Sequence, residues 1–485
     1  MEETKKFLKN NLLPIAYLFI SMLFALPSII YLAKNKTVYN FINMYSYTFI
    51  TSNSKLINYV DTIMYLLTFL ILFILYFAIL KNINKIIKNK RQMFILIAIA
   101  GIIFCLIIPT TSLDIYSYIG NGWVDSNYHQ NPYYTPVQEV LNNNGPDEML
   151  VKVARCWKEE TVVYGPAWSI ICRILTCFSF GKITNAVFIF KIANFEIFIG
   201  CSWLIYKITK KKLFTIIFAL NPFILFEFLS NVHNDIFLVF FILLSIYFIK
   251  NKKNLGLAIV SLAIATAIKY LSVILLPFII IYALKDEELK NKVIKTILYV
   301  IEFCLIITAF YLIYLKDIKV LAGIFIQQNK YERSIMLALW YLLNQDEKIM
   351  SIIKAILLSI FTISYISIIC KLFFSKNASK ITFRKTMQTY QTFLFIFTFI
   401  LITNFNAWYV IWLFPTIMWQ KAKTIKTTLY ISIGVIASYA VTYFTKVESR
   451  ESGISYFIII AGVSMGTVLI GNLLKKIKNK RPRLS

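Results

Sequence analysis

The sequence is poor in the charged residues that keep a protein soluble in water. Only 15% of its 485 residues are charged and 59% are hydrophobic, with a mean hydropathy of +0.69, whereas a soluble domain carries about 25% charged residues. Apolar runs long enough to cross a hydrocarbon core of about 30 Å recur along the chain, for example at 12–33, 63–80, 294–315 and 454–474. The composition therefore excludes a soluble globular protein and predicts an integral membrane protein.

Histidine and cysteine are also scarce. Two His residues are too few for a His-based metal cage, and seven Cys residues without CxxC spacing indicate neither a disulfide framework nor a zinc site. No Pro- or Gly-rich linker, internal repeat or separate soluble domain is evident in the sequence. We therefore expect a continuous membrane unit that uses no metal or other cofactor.

The net charge of +28 could indicate a nucleic-acid-binding protein, but the basic residues occur in short clusters between the apolar runs. If these clusters and the N-terminus are cytoplasmic, they collect most of the Lys and Arg, and the opposite loops hold most of the Asp and Glu, which is the positive-inside pattern. We therefore expect a lipid bilayer and no nucleic acid as partner, with both termini in the cytoplasm. The clusters lie at 81–91, 207–212, 250–253, 285–295, 371–385, 421–426 and 475–483.

This arrangement predicts an all-α polytopic membrane protein with about fourteen transmembrane helices. The apolar stretch 164–180 is not counted, because a span there would place the basic cluster 207–212 outside. We interpret it as a helix in the outer interface, with Trp168 at the depth of the lipid headgroups. The predicted spans are 11–33, 58–80, 93–109, 184–206, 213–230, 234–250, 255–268, 270–284, 294–315, 349–374, 389–405, 408–420, 427–445 and 454–474.

These spans divide the chain into five parts. Residues 1–109 are the N-terminal spans, 110–183 an external loop with interfacial helices, 184–315 the core membrane bundle, 316–348 a second external loop, and 349–485 the C-terminal spans with a basic cytoplasmic tail. Polar residues gather in the two external loops and in the short outer turns. We therefore expect the functional site where these segments meet.

The stretch from Ser112 to Trp123 is the richest in polar side chains. Asp114 emerges at the outer end of a span, where an isolated Asp is usually a helix cap or a solvated acid. Here Tyr116, Tyr118 and two glycines follow it, and such polar-tipped aromatic residues suit a site for a hydroxylated substrate. A carboxylate that accepts the proton of an attacking hydroxyl contributes about 10²–10⁴-fold in rate.

A second polar stretch forms the turn between two predicted spans. It contains Asn231, His233, Asn234 and Asp235. Asn and Asp can build a tight turn for backbone reasons alone, so a purely structural role stays open. The presence of one of the two His residues of the chain favours a functional role.

Lys269 lies in an apolar run, 255–284, that has cytoplasmic charge at both ends. The run is predicted to be a hairpin with Lys269 at its outer tip. The ammonium group there either snorkels to the membrane surface or binds a lipid phosphate, and Arg333 is a weaker candidate for the phosphate. Lys191, Glu196 and Glu227 lie within predicted spans, where a lipid-facing charge costs about 2.5–3.5 kcal/mol. We therefore expect all three to face the interior and to pair, with Lys191–Glu227 a plausible pair by depth.

Taken in order, these motifs resemble the C-type integral-membrane glycosyltransferases, in particular the polyprenyl-phosphate-mannose-dependent mannosyltransferases of prokaryotes. The resemblance covers residues 114–415. It rests on Asp114-Ile-Tyr-Ser-Tyr-Ile-Gly-Asn-Gly122, Asn131-Pro-Tyr133, Tyr164-Gly-Pro-Ala-Trp168, Asn221-Pro with His233-Asn-Asp235, Lys269 ahead of Leu-Leu-Pro277, and Trp408-Tyr409 with Trp412 and Pro415.

The resemblance implies that a hexose, with mannose favoured, moves from a polyprenyl phosphate to a hydroxyl of a glycan or glycolipid acceptor on the outer face of the cell membrane, with inversion and without a metal. Asp114 would be the catalytic base, and Lys269, Arg333 and His233 would bind the donor phosphate. Asp235 would orient His233 or the sugar, and it stays open whether Asp114 or Asp235 is the base. Substrate contacts are implied for Tyr116, Tyr118, Asn131, Tyr133, Tyr164, Asn231, Asn234, Asp235, Trp408 and Tyr409.

The chain departs from this family pattern in two places. Two spans precede the one that leads to Asp114, and an acidic, Asn-rich insert occupies 139–160, which leaves the acceptor open. Two alternatives share many of the same features, namely a flippase or transporter of a lipid-linked saccharide and a polysaccharide polymerase. A transporter is expected to have two related halves and helices interrupted at the membrane midplane. No internal repeat is evident in the sequence, and its polar residues gather on one face rather than at the midplane.

Overall fold

The computed structural model is helical throughout the residues it describes, which are 2–35, 55–154, 157–321, 323, 330–375, 377, 380–445, 455 and 458–466. Within these residues the β-pairing is limited to one isolated bridge, between Glu332 and Asn404. The predicted all-α class is therefore confirmed. Most of the predicted span 454–474 and the basic tail 475–483 lie outside the described residues.

The helices of the first half of the chain fall into three groups. The N-terminal group is Glu2–Asn35, Lys55–Lys81, Ile83–Ile86 and Lys90–Cys105. The first predicted loop contains Asp114–Tyr128, Val137–Asn144, Glu148–Val153 and Pro166–Cys177. The central group is Ile183–Thr209, Lys212–Ala219, Pro222–Leu225, Asp235–Tyr247, Leu255–Ile268 and Leu276–Ala283, with π-helical turns at Phe226–Ser230 and Phe248–Lys252 and a 3₁₀ helix at Tyr270–Leu275.

The second half has longer helices at its start and broken ones near its end. Its α-helices are Leu289–Leu312, Ile335–Leu342, Glu347–Phe373, Phe383–Ile396 and Ala422–Thr445. Short 3₁₀ or π-helical turns lie at Ile318–Leu321, Phe397–Leu401, Ala407–Leu413 and Ile417–Trp419.

The count of about fourteen spans is not confirmed. In the described part of the chain, five helices are long and apolar enough to cross a membrane, or six if Lys212–Ala219 and Pro222–Ser230, which meet at 49°, form one span. The five are Leu12–Lys34, Thr62–Lys81, Ile183–Thr209, Leu289–Leu312 and Glu347–Phe373. Several other predicted spans are shorter or broken. Pro222 and Pro277 each stand near the start of a new helix, because proline lacks the N–H that would continue the preceding one.

Two of these long helices expose their apolar side chains. In the most apolar stretch of Leu289–Leu312 only 6% of the residues are buried, and in that of Glu347–Phe373 none is. Leu305 and Ile363 are 64% and 65% exposed. Soluble proteins rarely present apolar surfaces of this extent to water, so these helices support a membrane protein.

The helix Pro166–Cys177 packs on the Asp114–Tyr128 helix rather than standing apart in the interface. The indole of Trp168 is 1% exposed and lies 5.0 Å from the Tyr118 ring and 5.2 Å from the Phe237 ring. Trp168 is therefore surrounded by protein side chains, and its depth relative to the lipid headgroups stays a prediction. An amphipathic pattern cannot distinguish a face buried on protein from one that faces headgroups.

Close backbone approach fixes the first predicted loop against the core. A Cβ on Gly165 would lie 2.1 Å from the carbonyl oxygen of Ala267, so only glycine fits at this crossing. The Gly165 N–H donates to the carbonyl of Ile268 at 3.1 Å. The segment that follows Tyr164 is thereby held against the end of the Leu255–Ile268 helix, next to Lys269.

Candidate active site

Asp114 begins its helix at the centre of a buried polar cluster. Its backbone N–H donates to the Ser112 hydroxyl at 3.2 Å, and the carboxylate lies in the first turn, where the helix dipole stabilises negative charge. Oδ2 accepts from the hydroxyls of Tyr118 at 3.4 Å and Tyr164 at 3.5 Å. Tyr118 is one turn further along the same helix face, whereas Tyr164 comes from the Tyr-Gly-Pro motif fifty residues later.

His233 lies between two carboxylates. Its Nδ1 is 3.4 Å from Asp114 Oδ2, and its Nε2 is 3.3 Å from Glu227 Oε2. These distances suit ion pairs, although the groups are not aligned as ordinary hydrogen bonds. The imidazole is fully buried and stacks on Trp408, with 3.6 Å between the ring centroids and 17° between the planes.

The two acids shift the ionisation of His233, and His233 shifts that of Asp114. Burial alone lowers the pKa of His233, but Asp114 and Glu227 outweigh it and raise the pKa to about 9. Burial alone raises the pKa of Asp114, and the contacts with His233 outweigh that effect and leave the pKa below its usual value. Both groups are therefore charged at neutral pH.

Val232 carries the backbone strain of this turn. Its φ is +63°, a left-handed conformation that a β-branched residue rarely adopts. Buried side chains hold the turn on both sides. The Lys191 ammonium donates to the carbonyls of Ile107, Leu229 and Ser230 at 2.7–2.9 Å, and the Asn194 amide donates to Phe228 and His233. The predicted Lys191–Glu227 pair is therefore wrong, because three backbone carbonyls accept the hydrogen bonds of the Lys191 ammonium. Glu196, which was expected to face the interior, is exposed.

Asn231 joins the turn to the segment that leads to Asp114. Its amide donates to the Thr111 hydroxyl at 2.6 Å and to Glu227 at 3.3 Å, and its carbonyl accepts from the N–H groups of Thr110 and Thr111. These contacts bring Asp114 to His233. The substrate contact predicted for Asn231 stays a prediction, since the hydrogen bonds of its side chain are made to other residues of the protein.

Lys269 and Asp235 form a second ion pair beside the first. Lys269 Nζ is 2.8 Å from Asp235 Oδ1, which also accepts from the Trp412 indole at 2.5 Å. The ammonium lies 4.3 Å from the Tyr409 ring centroid and 5.1 Å from that of Trp412. Of the two roles predicted for Asp235, orienting His233 finds no support, since its hydrogen-bond partners among the described residues are Lys269 and Trp412. Orienting the sugar stays a prediction.

Arg333 reaches the same region through the second predicted loop. Backbone bonds from Glu332 to Thr403 and from Phe405 to Glu332, both 2.9 Å, fix the loop to the chain ahead of Trp408. Arg333 donates to the Asn406 carbonyl at 3.4 Å, and the Asn406 amide donates to the Tyr409 hydroxyl at 3.0 Å. Two of the three cations predicted to bind phosphate, Lys269 and Arg333, are thus connected through Asn406 and Tyr409.

Comparison with known protein families identifies the sequence context of this site. Residues 21–285, more than half of the chain, match the MptA_B family, described as alpha-(1->6)-mannopyranosyltransferase, N-terminal domain. The chain belongs to this family. Membership confirms the predicted resemblance to C-type mannosyltransferases and supports a glycosyltransferase that transfers mannosyl groups from a sugar donor to a glycan acceptor. Neither the curated proteins nor the solved structures contain a significant match.

The family match includes both ion pairs and ends before Arg333, Trp408 and Tyr409. Other residues predicted to contact the substrate form hydrogen bonds within the protein. Asn131 donates to the Tyr314 carbonyl at 2.7 Å, and Tyr133 donates to the Tyr164 carbonyl at 2.8 Å. Tyr116 is buried. Asn234 differs, because its amide is 1% exposed and forms no hydrogen bond within the described residues.

Sequence reasoning missed the roles of three residues. Glu227 was assigned to the wrong partner, Trp412 was noted only as part of a motif, and Asn406 was not considered as a link. The signal available for Glu227 was its position one and a half turns before His233. No group of three or more His, Cys, Asp or Glu suited to a metal ion is found among the described residues, and metal independence stays a prediction.

Proposed function

We propose that the protein transfers a mannosyl group from a polyprenyl-phosphate-linked donor to a hydroxyl of a glycan or glycolipid acceptor, with inversion at the anomeric carbon. The observation that carries this proposal is the placement of two ion pairs side by side. One pair contains a carboxylate that can accept a proton, and the other contains an ammonium that can bind a phosphate. Asp114 and Lys269 are close enough to influence each other electrostatically.

Asp114 is the proposed base. Its contacts with His233, Tyr118 and Tyr164 all involve Oδ2, which leaves Oδ1 to accept the acceptor proton. The acceptor O–H bond breaks as its oxygen bonds to the anomeric carbon. The bond from that carbon to the phosphate oxygen breaks at the same time, and its electron pair leaves with the polyprenyl phosphate. A single displacement of this kind inverts the configuration.

Lys269 is the proposed ligand of the departing phosphate. An ammonium group has three N–H donors, and Asp235 occupies one of them. The side chain is 17% exposed while Asp235 is fully buried, so Lys269 can bind phosphate without leaving its partner. Arg333, which Asn406 holds near Tyr409 by hydrogen bonds, supplies a second positive charge. Preorganised positive charge at a developing negative charge is often the largest catalytic contribution, and no metal ion or cofactor is needed in this scheme.

We also propose that this site faces outward and that both termini are cytoplasmic. Basic clusters far apart in sequence meet at one end of the bundle. Lys212 donates to the carbonyls of Ile87 and Lys88, and Lys250 lies 5.0 Å from the Trp419 ring. The helix Leu255–Ile268 then runs about 20 Å from this basic end to Lys269. Positive-inside statistics place the basic end in the cytoplasm of the cell membrane.

An impermeant thiol reagent tests the orientation. Asn143 is exposed in the first predicted loop, so Asn143→Cys, in a protein whose seven native cysteines are replaced, should be labelled in intact cells. A cysteine placed at Lys252, in a basic cluster, is the matched control and should be labelled only after lysis. The reverse result would overturn the orientation.

The activity is tested with the purified full-length protein, polyprenyl-phosphate mannose and a panel of glycan acceptors, by following released polyprenyl phosphate. Lipid-linked and envelope glycans of a deletion strain, analysed by mass spectrometry, would direct the choice of acceptor. Release that depends on the acceptor supports the proposal. Movement of the intact lipid across vesicles without cleavage would replace it with the transporter alternative.

A further inference from the structure

Glu227 is a buried carboxylate that the proposed reaction does not use. It is fully buried, and its described side-chain contacts are His233 and Asn231, both through Oε2. Oε1 has no hydrogen-bond partner in the described residues. A buried charge of this kind costs several kcal/mol unless it is compensated. Its presence next to the turn that carries His233 therefore needs an explanation.

The imidazole between the two carboxylates cannot turn away from either of them. Trp408 stacks on one face of the ring, and the Phe228 ring lies edge-on at 6.4 Å. The backbone is held as well, because the His233 N–H donates to the Glu227 carbonyl at 3.2 Å and its own carbonyl accepts from Asn194. Nδ1 and Nε2 consequently stay within ion-pair distance of Asp114 and Glu227.

Two carboxylates at ion-pair distance favour a doubly protonated, positively charged ring. A neutral imidazole has one N–H donor and one acceptor nitrogen, and only imidazolium can donate on both sides. Between two carboxylate oxygens at 3.3 and 3.4 Å, a neutral ring would point a lone pair at one of them. A positive charge on His233 therefore stabilises the arrangement.

We propose that Glu227 and His233 are positioning residues that keep the Asp114 carboxylate ionised and oriented for proton acceptance. In a buried pair of Asp114 and His233 alone, the proton on Nδ1 could pass to Oδ2 and leave two neutral groups. Such a transfer would consume the base before the acceptor arrives. Glu227 stabilises the charge on the ring and so keeps the proton on Nδ1. The inference rests on the proposed function in that Asp114 is taken as the base.

Every charged or titratable group that faces these residues belongs to the same cluster. Asp114 is faced by His233, Tyr118, Tyr164 and, at longer range, Lys269 and Tyr409. His233 is faced by Asp114 and Glu227. The raised pKa of His233, about 9, agrees with the charge that the geometry favours.

The low number of histidines allows a direct test. The chain has two, and the other, His129, is exposed at the end of a helix with φ of +52°, a conformation that Asn tolerates. In a His129→Asn background, ¹⁵N-histidine NMR of the full-length protein in nanodiscs reports His233 alone. We expect a charged ring at pH 7.5 that titrates near pH 9, and a midpoint at least one pH unit lower in Glu227→Gln. Glu196→Gln, at an exposed carboxylate in a neighbouring helix, should leave the midpoint unchanged.

Kinetics separates a positioning role from a structural one. Glu227→Gln should reduce kcat roughly tenfold or more with little change in the donor KM, and it should move the alkaline limb of the kcat profile to lower pH. Glu227→Asp, which keeps the charge, should recover part of the rate. A neutral His233 at pH 7.5, or a midpoint unaffected by Glu227→Gln, would overturn the inference even in an active enzyme. If the NMR result holds but the wild type transfers no mannose, the proposed function fails, while the charge-holding role of Glu227 stands.

Discussion

The two ion pairs of the site are oriented in opposite ways. In the Asp114–His233 pair the carboxylate is the more accessible member, at 9% exposure, and the cation behind it is fully buried. In the Asp235–Lys269 pair the cation is 17% exposed and the carboxylate is fully buried. In each pair one charged group is thus partly accessible, and its partner of opposite charge is buried behind it. Both pairs consist of a carboxylate and a cation, but the more accessible charge is negative in the first pair and positive in the second.

The buried partners explain how Asp114 and Lys269, the more exposed member of each pair, stay charged. Asp114 faces a cation that a second acid, Glu227, keeps charged. Asp235 accepts from both Lys269 and the Trp412 indole, and the aromatic faces of Tyr409 and Trp412 stabilise the ammonium. The proposed base therefore lies next to the proposed phosphate ligand, and each is paired with its own counter-charge. Predictions that alter one pair and leave the other intact test this distinction.

The largest effect is expected from Asp114→Asn. The substitution keeps the size of the side chain and most of its hydrogen bonds but removes proton acceptance, so turnover should fall by about 10²-fold or more. Donor binding, which we assign to the other pair, should stay near the wild-type value, as measured by the dissociation constant for polyprenyl-phosphate mannose. The melting temperature is the control for folding. Transfer at the wild-type rate would show that Asp114 is not the base and would turn attention to Asp235.

A smaller effect, on donor binding as well as rate, is expected from Lys269→Met. Loss of the ammonium should weaken donor binding by roughly tenfold, since a charge-assisted contact to phosphate contributes about 1.5–3 kcal/mol. It also leaves Asp235 buried without a counter-charge, which can cost up to roughly 3–5 kcal/mol of stability.

The double variant Lys269→Met/Asp235→Asn separates these two consequences. It removes both charges, so it should recover much of the stability without recovering donor affinity. If donor affinity is unchanged in Lys269→Met, the ammonium only anchors Asp235, and the phosphate has to be bound elsewhere.

The most gradual effect is the dependence of stability on pH. The pKa of His233 is raised from 6.5 to about 9 in the folded protein. Its contribution, about 3 kcal/mol at most, is therefore fully present below pH 6.5 and is lost as the pH rises through 9. The melting temperature of the wild type should fall across this window, and that of His233→Gln should start lower and fall less. Parallel curves for the two proteins would contradict the assigned charge.

The sequence predicted the members of the site better than it predicted their partners. Asp114, His233, Asp235, Lys269 and Tyr409 do converge, because each follows or precedes an apolar run whose end could be located from charge. Which acid faces which cation depends on how helices rotate against one another, and spacing along the chain does not determine this. The predicted Lys191–Glu227 pair was consequently wrong, and Asp235, predicted to orient His233 or the sugar, is paired with Lys269 instead of His233.

The helices were predicted well in position but not in continuity. The break at Lys269 and the turn at 231–235 occur where the charge pattern placed them. A hydropathy pattern registers apolar composition, which is the same in a continuous span and in one interrupted at Pro222 or Pro277. The burial of Trp168 could not be predicted for a similar reason, since it depends on a partner helix that is distant in sequence.

Gly165 allows close contact between the segment that carries Tyr164 and the helix end that leads to Lys269. The residue before it, Tyr164, contacts Asp114, and the backbone it touches, Ala267 and Ile268, leads directly to Lys269. The width of the gap between base and phosphate ligand is consequently set by the absence of a single side chain. We expect Gly165→Ala to separate the two charges by roughly the thickness of a methyl group. In the proposed reaction the two charges act at opposite ends of the bonds that form and break, so a fixed separation between them would restrict the size of the group that is bound there.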